Sequence, residues 1–301
     1  MATISVVISA WNEEKKIKQC LESVRWANEI IVVDNSSTDA TGKIARQQKA
    51  SVYLQQNNPM LNVNKNFGFE KATGDWILSL DADEIIPESL AREIKEKVNN
   101  SDKAGYWIPR KNIIFGKWIR HGLWWPDKQL RLFRKGYGRF PCAHVHEYLE
   151  VDGVTDTLQE PYIHNNYESV SQFIRKMDTL YTESEVQKLL RTHYQLAWYD
   201  AMRFPASDFV KVFFAQEGYK DGLHGLILAI LQAFYSFVVF AKVWEQKQCI
   251  DIDIPLDQVS REVQKNGKDF SYWVLTTQIK ESRFVGEKLM LKFRRWYANK
   301  Q

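Results

Sequence analysis

The stretch Trp76-Ile77-Leu78-Ser79-Leu80-Asp81-Ala82-Asp83 is an apolar run that ends abruptly in two carboxylates, one residue apart. A short apolar run predicts a buried strand, and open α/β sheets bind ligands at the carboxyl ends of their strands. Residues i and i+2 of an extended segment project to the same side, so Asp81 and Asp83 can face one cation. A divalent cation held by one or two carboxylates usually completes its coordination with water and substrate phosphates. The stretch therefore predicts a site for a metal ion and a diphosphate.

Strands and helices alternate around this stretch over the first hundred residues. Besides Trp76–Leu80, the segments predicted as strands are Ile4–Ser9, Glu29–Val33 and Ser51–Leu54. Helical periodicity is found over residues 13–26, 38–49, 64–72 and 88–98. This alternation predicts an α/β fold with a parallel sheet of Rossmann type.

The pattern changes after the first hundred residues. From Gly105 to about Ile163, short strand-like pieces are separated by aromatic-rich loops; the pieces are Tyr106–Pro109, Gln129–Phe133 and Glu147–Val151. Beyond Glu168 the chain has helical patterns almost to its end. We therefore expect two regions, a sheet domain over 1–165 and a helical C-terminal region over 166–301.

The composition is that of an ordinary globular protein. Apolar residues make up 45% of the 301 residues and charged residues 26%, with a net charge of +4. That balance lacks the basic excess of nucleic-acid-binding proteins. Three widely spaced cysteines indicate reduced thiols rather than a disulfide framework or a zinc site. Since the N-terminus also lacks the features of a signal peptide, we expect a cytoplasmic protein that binds no nucleic acid.

The loop after the first strand, residues 9–14, contains no glycine. The GxGxxG fingerprint is therefore absent, which argues against an ordinary nicotinamide or flavin enzyme. Asp34 closes the second strand, where a carboxylate can accept hydrogen bonds from the ribose or base of a nucleoside. Alternatively, Asp34 begins a turn in the polar run 34–39. Because Asp81 and Asp83 follow a neighbouring strand, we favour a role in nucleotide binding for Asp34.

Four motifs, in this order along the chain, resemble glycosyltransferase family 2, the inverting enzymes of GT-A fold. They are Ser-Val-Val-Ile-Ser-Ala-Trp-Asn-Glu-Glu (5–14), Ile-Ile-Val-Val-Asp-Asn-Ser-Ser-Thr-Asp (30–39), Asn-Lys-Asn-Phe-Gly (64–68) and the segment 72–84. Downstream, the segments 129–134, 145–147 and 220–222, together with His164, resemble the bacterial lipopolysaccharide inner-core β-glucosyltransferase branch.

The resemblance implies a fold and an activity. The fold is a GT-A Rossmann-like, mostly parallel sheet flanked by helices, with a helical C-terminal region. The activity is transfer of a sugar from a UDP-sugar to a lipid-linked saccharide such as the lipopolysaccharide inner core. Glucose is the sugar that the resemblance favours.

The resemblance also implies residues that bind the donor. The residues that would line the uridine pocket are Ala10, Asn12, Glu13 and Asp34. Lys65 would approach the diphosphate, although a lysine on a solvated helix face fits the same pattern. Arg131 could clamp a diphosphate or an anionic acceptor through its forked donors, or pair with an acidic neighbour.

A metal ion, Mg²⁺ or Mn²⁺, would bridge the two phosphates and neutralise the charge that builds on the departing UDP. Asp81 and Asp83 would lie near the ribose and this ion, unless they form only an acidic turn before a helix. His146 and His164 are further candidate ligands, since neutral imidazole binds metals and GT-A enzymes often add a late histidine. Each could equally be a histidine without a metal role.

An inverting transfer needs a general base on the acceptor side, opposite the leaving group. Glu147, about sixty residues past the aspartate pair, is the first candidate. Asp127, in Trp-Trp-Pro-Asp, is the second. A structural carboxylate on a surface strand is the alternative for Glu147.

Two other functions fit part of the pattern. A phosphatase of the haloacid dehalogenase type also uses Asp-x-Asp after a strand, but there the motif follows the first strand of the domain. A nucleotide-sugar-binding module without catalysis would keep Asp34 and the aspartate pair; only a turnover measurement separates it from an enzyme.

Two C-terminal segments bear on a membrane. Leu223–Ala241 is just long enough to span a bilayer, but its polar residues favour a buried or interfacial helix. In the tail 283–300, apolar and aromatic residues share one helical face beside several lysines and arginines. That pattern is typical of docking on anionic lipid, or of a final helix packed on the domain. We expect a peripheral contact with the inner face of the cytoplasmic membrane, where a lipid-linked acceptor would lie.

Overall fold

The computed structural model describes residues 1–58, 61–99, 101–142, 147–192 and 194–298. The chain forms two units. The first comprises Met1–Trp118 with Trp125–Glu168, and the second Ile119–Trp124 with Ser169–Gln301.

The first unit is built from strands and four helices. Its strands are β1 (Ile4–Ala10), β2 (Glu29–Asp34), β3 (Ser51–Leu54), β4 (Trp76–Asp81), β5 (Glu84–Ile85), β6 (Gly105–Ile114), β7 (Lys117–Trp118), β8 (Asp127–Arg134), β9 (Gly138–Arg139), β10 (Glu150–Val151), β11 (Thr155–Thr157) and β12 (Tyr162–Tyr167). Its helices are α1 (Ile17–Ser23), α2 (Thr41–Gln47), α3 (Leu61–Lys71) and α4 (Glu88–Asn99).

Ten of the strands that the structure describes form one sheet, in the order β3-β2-β1-β4-β8-β6-β12-β5, with β7 and β11 also paired to β6. The strands β1 to β4 run parallel, whereas β8 enters antiparallel between β4 and β6. A separate two-stranded ladder joins β9 and β10. This mixed, mostly parallel sheet flanked by helices confirms the expected fold class.

The central strands are apolar throughout because both faces of the sheet are covered. Val6, Ile8 and Leu78 point into one buried cluster, and their neighbours Val7 and Ile77 into the other. Alternate residues of a strand project to opposite faces. A continuous apolar run is therefore what a two-sided core requires.

The register of these strands fixes where the polar residues lie. Ala10 pairs with Asp34 across β1 and β2, and Ser9 pairs with Asp81 across β1 and β4. The carboxyl ends of the three strands therefore meet at one edge of the sheet, as open α/β sheets arrange a ligand crevice.

Three elements differ from the sequence-based expectation. The first helix covers Ile17–Ser23 and is shorter than the expected 13–26, because Val24 has left the helical conformation, with φ of −116° and ψ of 11°. Before this helix, the backbone N–H groups of Glu13 and Glu14 donate to the side chains of Thr41, the first residue of α2, and of Asp39. Strand β6 extends to Ile114, well past the expected end at Pro109, since it pairs with β12 over its second half. In the expected strand 147–151, only Glu150–Val151 is paired.

The second unit is helical, as expected. Its α-helices are α5 (Val170–Lys176), α6 (Thr182–Arg191), α7 (Asp200–Val210), α8 (Leu223–Gln246), α9 (Leu256–Glu281) and α10 (Val285–Ala298), with π-helical turns at Met177–Tyr181 and Lys211–Ala215 and 3₁₀ turns at Gly122–Trp124 and Gly218–Asp221.

Helix α8 is, among the described residues, the one helix long and apolar enough to cross a membrane by length and composition; a core helix can meet the same criteria. It packs against α6 and α7. Two of its polar residues contact these neighbours: Ser236 Oγ donates to Asp208 of α7, and Lys242 Nζ donates to Thr182 Oγ1 of α6 at 2.9 Å.

Candidate functional site

The loop after β1 and the loop after β2 are joined by hydrogen bonds. Asn12 adopts a left-handed backbone conformation, with φ of 54°. Its side-chain oxygen accepts from the backbone N–H of Thr38 at 2.8 Å, and its own N–H donates to Ser37 Oγ at 3.0 Å. The backbone N–H of Glu13 donates to Thr41 Oγ1 at 2.8 Å. These bonds hold the two loops in one arrangement at the edge of the sheet.

Asp34 is buried at the end of β2. Its Oδ1 accepts from the backbone N–H of Ser37 at 2.9 Å, so the turn anticipated from the sequence is present. Its Oδ2 lies beside Gly42, where a Cβ would come within 2.4 Å of that oxygen. The glycine therefore makes room for the carboxylate. The neighbouring Ala10 is buried, and its carbonyl accepts from the backbone N–H of Asn35 at 2.9 Å.

Asn35 and Asn64 support this edge and were not identified from the sequence. Asn35 Nδ2 donates to Ser9 Oγ at 3.0 Å, and its Oδ1 accepts from Asn64 Nδ2 at 2.7 Å. Both side chains are buried. Asn64 directly precedes Lys65, and this adjacency is the sequence signal that could have linked Asn64 to the site. The bond from Asn64 to Asn35 anchors helix α3 to the loop after β2, next to Lys65.

Asp81 is held between two cations. Lys65 Nζ lies 2.6 Å from its Oδ1, and Arg131 Nη2 lies 2.9 Å from its Oδ2. Although desolvation raises it, the pKa of Asp81 is held well below its usual range by these two charges. The Lys65 side chain is only 12% exposed, so it is not the solvated lysine of the alternative interpretation.

Glu84 completes this charge network and was not singled out from the sequence, although it directly follows the aspartate motif. Its side chain is fully buried. Its Oε1 lies 2.5 Å from Arg131 Nη2, and its Oε2 accepts from the backbone N–H of Asp81 at 2.9 Å. Burial raises the pKa of Glu84 to about 7, against the opposing effect of Arg131. Glu84 thus ties the backbone of Asp81 to the guanidinium that contacts its side chain.

Asp83, the second carboxylate of the Asp81-Ala82-Asp83 motif, has different neighbours from Asp81. Its Oδ2 is 3.7 Å from Lys16 Nζ and 3.8 Å from His164 Nε2. The other ring nitrogen of His164, Nδ1, is 2.8 Å from the side-chain oxygen of Asn112. The structure therefore brings together Asp83 and His164, two residues eighty-one positions apart that the sequence predicted as metal ligands.

A divalent cation fits this pair of donors. Oxygen and nitrogen ligands lie about 2.0–2.2 Å from such an ion, and 3.8 Å between Asp83 Oδ2 and His164 Nε2 allows both to reach one ion. Within the described ranges, no three His, Cys, Asp or Glu side chains form a metal-binding group. Water and phosphate oxygens would supply the remaining ligands. The candidate ligand His146 lies outside the described residues.

The two candidate bases lie in different surroundings. Asp127 is surrounded by donors: Arg110 Nε and Asn112 Nδ2 reach its Oδ2 at 2.6 Å and 3.1 Å, and Gln129 Nε2 reaches its Oδ1 at 2.7 Å. Glu147 Oε2 accepts from the backbone N–H of Cys142 at 2.6 Å.

Phe140, two residues before Cys142, is fastened to helix α3. Asn66 Nδ2 donates to the carbonyl of Phe140 at 2.8 Å, and Asn66 Oδ1 accepts from the N–H of Phe140 at 2.9 Å. Lys65 Nζ lies 5.6 Å from the centre of the Phe140 ring. Helix α3 therefore positions both the lysine that contacts Asp81 and the segment 140–142 to which Glu147 is bonded.

A large cavity in the first unit lies elsewhere. It has a volume of about 780 Å³ and is lined by residues of the β9–β10 ladder together with Trp107 and Tyr137. It contains none of the residues predicted for the site.

Comparison with known proteins finds similarity to glycosyltransferases. Residues 5–149 match the sequence model of the family Glycosyl transferase family 2. The lipopolysaccharide core biosynthesis glycosyltransferase LpsC of Rhizobium meliloti (strain 1021) is 26% identical over 258 residues, covering 81% of this chain and 92% of that protein. An uncharacterized glycosyltransferase of Rickettsia felis is 27% identical over 284 residues, covering 89% and 99%. Among solved structures, S. aureus TarS 1–349 in complex with UDP aligns with a TM-score of 0.43 and 16% identity, over 84% of this chain and 94% of that one.

Proposed function

Since residues 5–149 form a glycosyltransferase family 2 domain, we propose that the protein is a metal-dependent, inverting enzyme that transfers a sugar from a UDP-sugar to a lipid-linked saccharide. We propose glucose as the sugar and the lipopolysaccharide inner core as the acceptor. The relative named for lipopolysaccharide core biosynthesis supports an acceptor of the lipopolysaccharide core. The observation that carries the proposal is the position of Asp83 and His164, which lie 3.8 Å apart at the sheet edge that also holds Asp34 and Asp81.

The sheet domain, residues 1–165, would bind the donor. Asp34 lies buried beside Gly42. It pairs with Ala10 at the end of β1, and Asn12 and Glu13 lie in the adjoining loop, which is bonded to Ser37 and Thr41. A buried carboxylate at the end of β2 is suited to accept hydrogen bonds from a nucleoside. We assign these residues to the uridine.

The diphosphate would lie next to Asp81. Lys65 and Arg131 approach the two oxygens of this carboxylate at 2.6 Å and 2.9 Å. Because Lys65 is a flexible point charge, it can turn from Asp81 to a phosphate. Arg131 is held by Glu84 as well. We therefore propose that Arg131 keeps Asp81 in place and that its positive charge attracts the diphosphate.

Asp83 and His164 would hold the divalent ion, with Asp81 nearby. When bound, such an ion neutralises charge on the diphosphate leaving group. The side chain of Asp81 is 36% exposed, so a ligand can reach it from solvent.

We assign the general base to Glu147 rather than Asp127. The oxygens of Asp127 already accept hydrogen bonds from Arg110, Asn112 and Gln129, so they are less available to the hydroxyl of an acceptor. Glu147 is bonded to Cys142, close to Phe140, which Asn66 fastens beside Lys65. This proximity to Lys65, which we assign to the diphosphate, supports Glu147 as the base.

The helical region, residues 166–301, would serve the acceptor and the membrane. The residues Val285, Leu289, Phe293 and Trp296, here called the α10 apolar face, are 74%, 62%, 64% and 52% exposed. Leu291 on the other side of the helix is buried, and α10 packs on α9.

An exposed apolar face with tryptophan suits the interface of a bilayer. Lys292 and Arg294 are also exposed on α10 and would attract anionic lipid. We therefore propose peripheral binding at the cytoplasmic face of the inner membrane, where a lipid-linked acceptor is accessible.

Calorimetric titration with UDP, in Mn²⁺ and then in EDTA, tests the proposal. Binding that requires Mn²⁺ supports the nucleotide and metal site, and release of UDP from UDP-glucose with an added acceptor then supports transfer. Absence of binding under both conditions would contradict the proposal. Phosphate release from a phosphomonoester, abolished by Asp81→Asn, would instead indicate the phosphatase.

A further inference from the structure

A buried asparagine, Asn112, lies between Asp127 and His164, and His164 in turn lies beside Asp83. Asn112 lies in β6 and is fully buried. Its Nδ2 is 3.1 Å from Asp127 Oδ2, and its Oδ1 is 2.8 Å from His164 Nδ1. The register of the sheet sets this arrangement, because Asn112 pairs with His164 across β6 and β12, and Arg110, two residues earlier, pairs with Asp127 across β6 and β8.

Asp127 determines which way the amide of Asn112 points. A carboxylate only accepts hydrogen bonds, so the amide must present its NH₂ group to Asp127 and its oxygen to His164. The opposite orientation would place two oxygens 3.1 Å apart without a proton between them. Asp127 itself is held by Arg110, whose Nε lies 2.6 Å from the same Oδ2, so the orientation of this oxygen is fixed.

The oriented amide determines the tautomer of His164. Since the Asn112 oxygen can only accept, His164 Nδ1 must carry the proton that forms the 2.8 Å bond. In the neutral ring, the lone pair then resides on Nε2, the nitrogen that lies 3.8 Å from Asp83 Oδ2. A lone pair close to a carboxylate is favourable when a cation binds to both.

We propose that Asn112, oriented by Asp127, is a positioning residue that fixes His164 in the Nδ1–H tautomer, so that Nε2 can bind a divalent cation together with Asp83. Metal-binding histidines commonly donate their second N–H to an oxygen acceptor, which fixes the ring. The inference rests on the metal site of the proposed function. It gives Asp127 a role in orienting the metal ligand and leaves catalysis of proton transfer to Glu147.

The tautomer can be measured without any metal. Protein labelled with ¹⁵N-histidine is examined by two-bond ¹⁵N–¹H correlation at about pH 8.5, two units above the usual imidazole pKa of about 6.5. The His164→Gln variant assigns the signal among the six histidines. We expect the wild type to carry its proton on Nδ1, and Asn112→Leu to carry it on Nε2 or to show both forms.

A second variant guards against misfolding of Asn112→Leu. Asp127→Asn keeps the size of the side chain but lets the amide of Asn112 rotate, so mixed tautomers of His164 are expected. Gln129→Ala is the matched control, because Gln129 contacts Asp127 Oδ1 and not Asn112; its tautomer should equal that of the wild type. A wild-type proton on Nε2, or an Nδ1–H tautomer retained in both Asn112→Leu and Asp127→Asn, overturns the proposal.

Metal affinity separates this inference from the proposed function. Mn²⁺ binding in the presence of UDP is followed by electron paramagnetic resonance of the free ion. Loss of such an outer contact typically weakens metal binding about 10- to 100-fold, which we expect for Asn112→Leu and not for Gln129→Ala. Equal affinity of Asn112→Leu and the wild type overturns the positioning role while the metal site stands. Failure of the wild type to bind Mn²⁺ overturns the metal site and the inference with it.

Discussion

Lys65 Nζ lies 2.6 Å from Asp81 Oδ1, and this contact joins helix α3 to the end of strand β4. The pair places a cation where a diphosphate is expected, on a carboxylate whose other oxygen is held by Arg131. It therefore links the stability of the sheet edge to the proposed donor site.

Replacing Lys65 by Met should lower stability in a pH-dependent way. The pKa of Asp81 is depressed in the folded state, so the pair stabilises the protein above the unfolded-state pKa of about 3.9 and this contribution is lost as pH falls further. Thermal unfolding should show a lower Tm for the variant at pH 7, by the equivalent of about 1 kcal/mol or less because Asp81 is partly exposed. The difference should shrink below about pH 4. Lys71→Met, on the same helix and stacked on Phe67, serves as the control without an acidic partner; an equal, pH-independent loss in both variants would contradict the pairing.

Asp83→Asn should remove metal-dependent binding of UDP and reduce transfer by about 10²–10⁴-fold, since a bound ion contributes several kcal/mol to charge stabilisation. The fold should persist because the amide is the same size. Calorimetry with UDP and Mn²⁺ measures the binding, and Asp156→Asn, an exposed residue of β11, is the control. Wild-type affinity and rate in Asp83→Asn would remove the metal role from this residue.

Glu147→Gln should bind UDP like the wild type yet lose turnover by about 10²–10⁴-fold, the usual contribution of a positioned base. Steady-state rates and calorimetry on the same preparation separate the two effects. Asp127→Asn should keep more activity than Glu147→Gln, because the role we propose for Asp127 is to orient Asn112. The reverse order of rates would assign the base to Asp127.

Gly42→Ala should disturb the nucleoside pocket. The added Cβ would come within 2.4 Å of Asp34 Oδ2, so the carboxylate must move, at a cost of about 1–3 kcal/mol. Weaker UDP binding and a lower Tm are expected. Gly267→Ala, in helix α9 with nothing within 4 Å of the new Cβ, should be neutral or stabilising by about 1 kcal/mol. Unchanged UDP binding in Gly42→Ala would show that Asp34 does not contact the nucleotide.

Polar substitution of the α10 apolar face should weaken binding to anionic vesicles. Phe293→Gln with Trp296→Gln removes exposed aromatic surface, so stability should change little while vesicle co-sedimentation falls. Val263 is an exposed apolar residue of α9. Val263→Gln is the control, because it makes an equivalent polar substitution outside the α10 apolar face. Deletion of 283–301 should have the larger effect. Vesicle binding that survives both changes would place the membrane contact elsewhere, or indicate that α10 only packs on α9.

The sequence by itself determined the parallel strands of the sheet and the carboxylates at their ends. Continuous apolar runs such as 76–80 encode burial on both faces, and the polar residue that ends each run marks the edge of the sheet. The helical second half was likewise evident from periodicity. These features are local, because each is set by the spacing of neighbouring side chains.

Only the tertiary structure decided which distant residues meet. Glu84 and Arg131 are 47 residues apart, and Asn112 and His164 are 52 residues apart, so no local pattern relates them. Strand β6 could be recognised to its full length only through its pairing with β12, which supplies hydrogen bonds past Pro109. The register between strands fixes such contacts, and register arises from packing of the whole sheet rather than from any one segment.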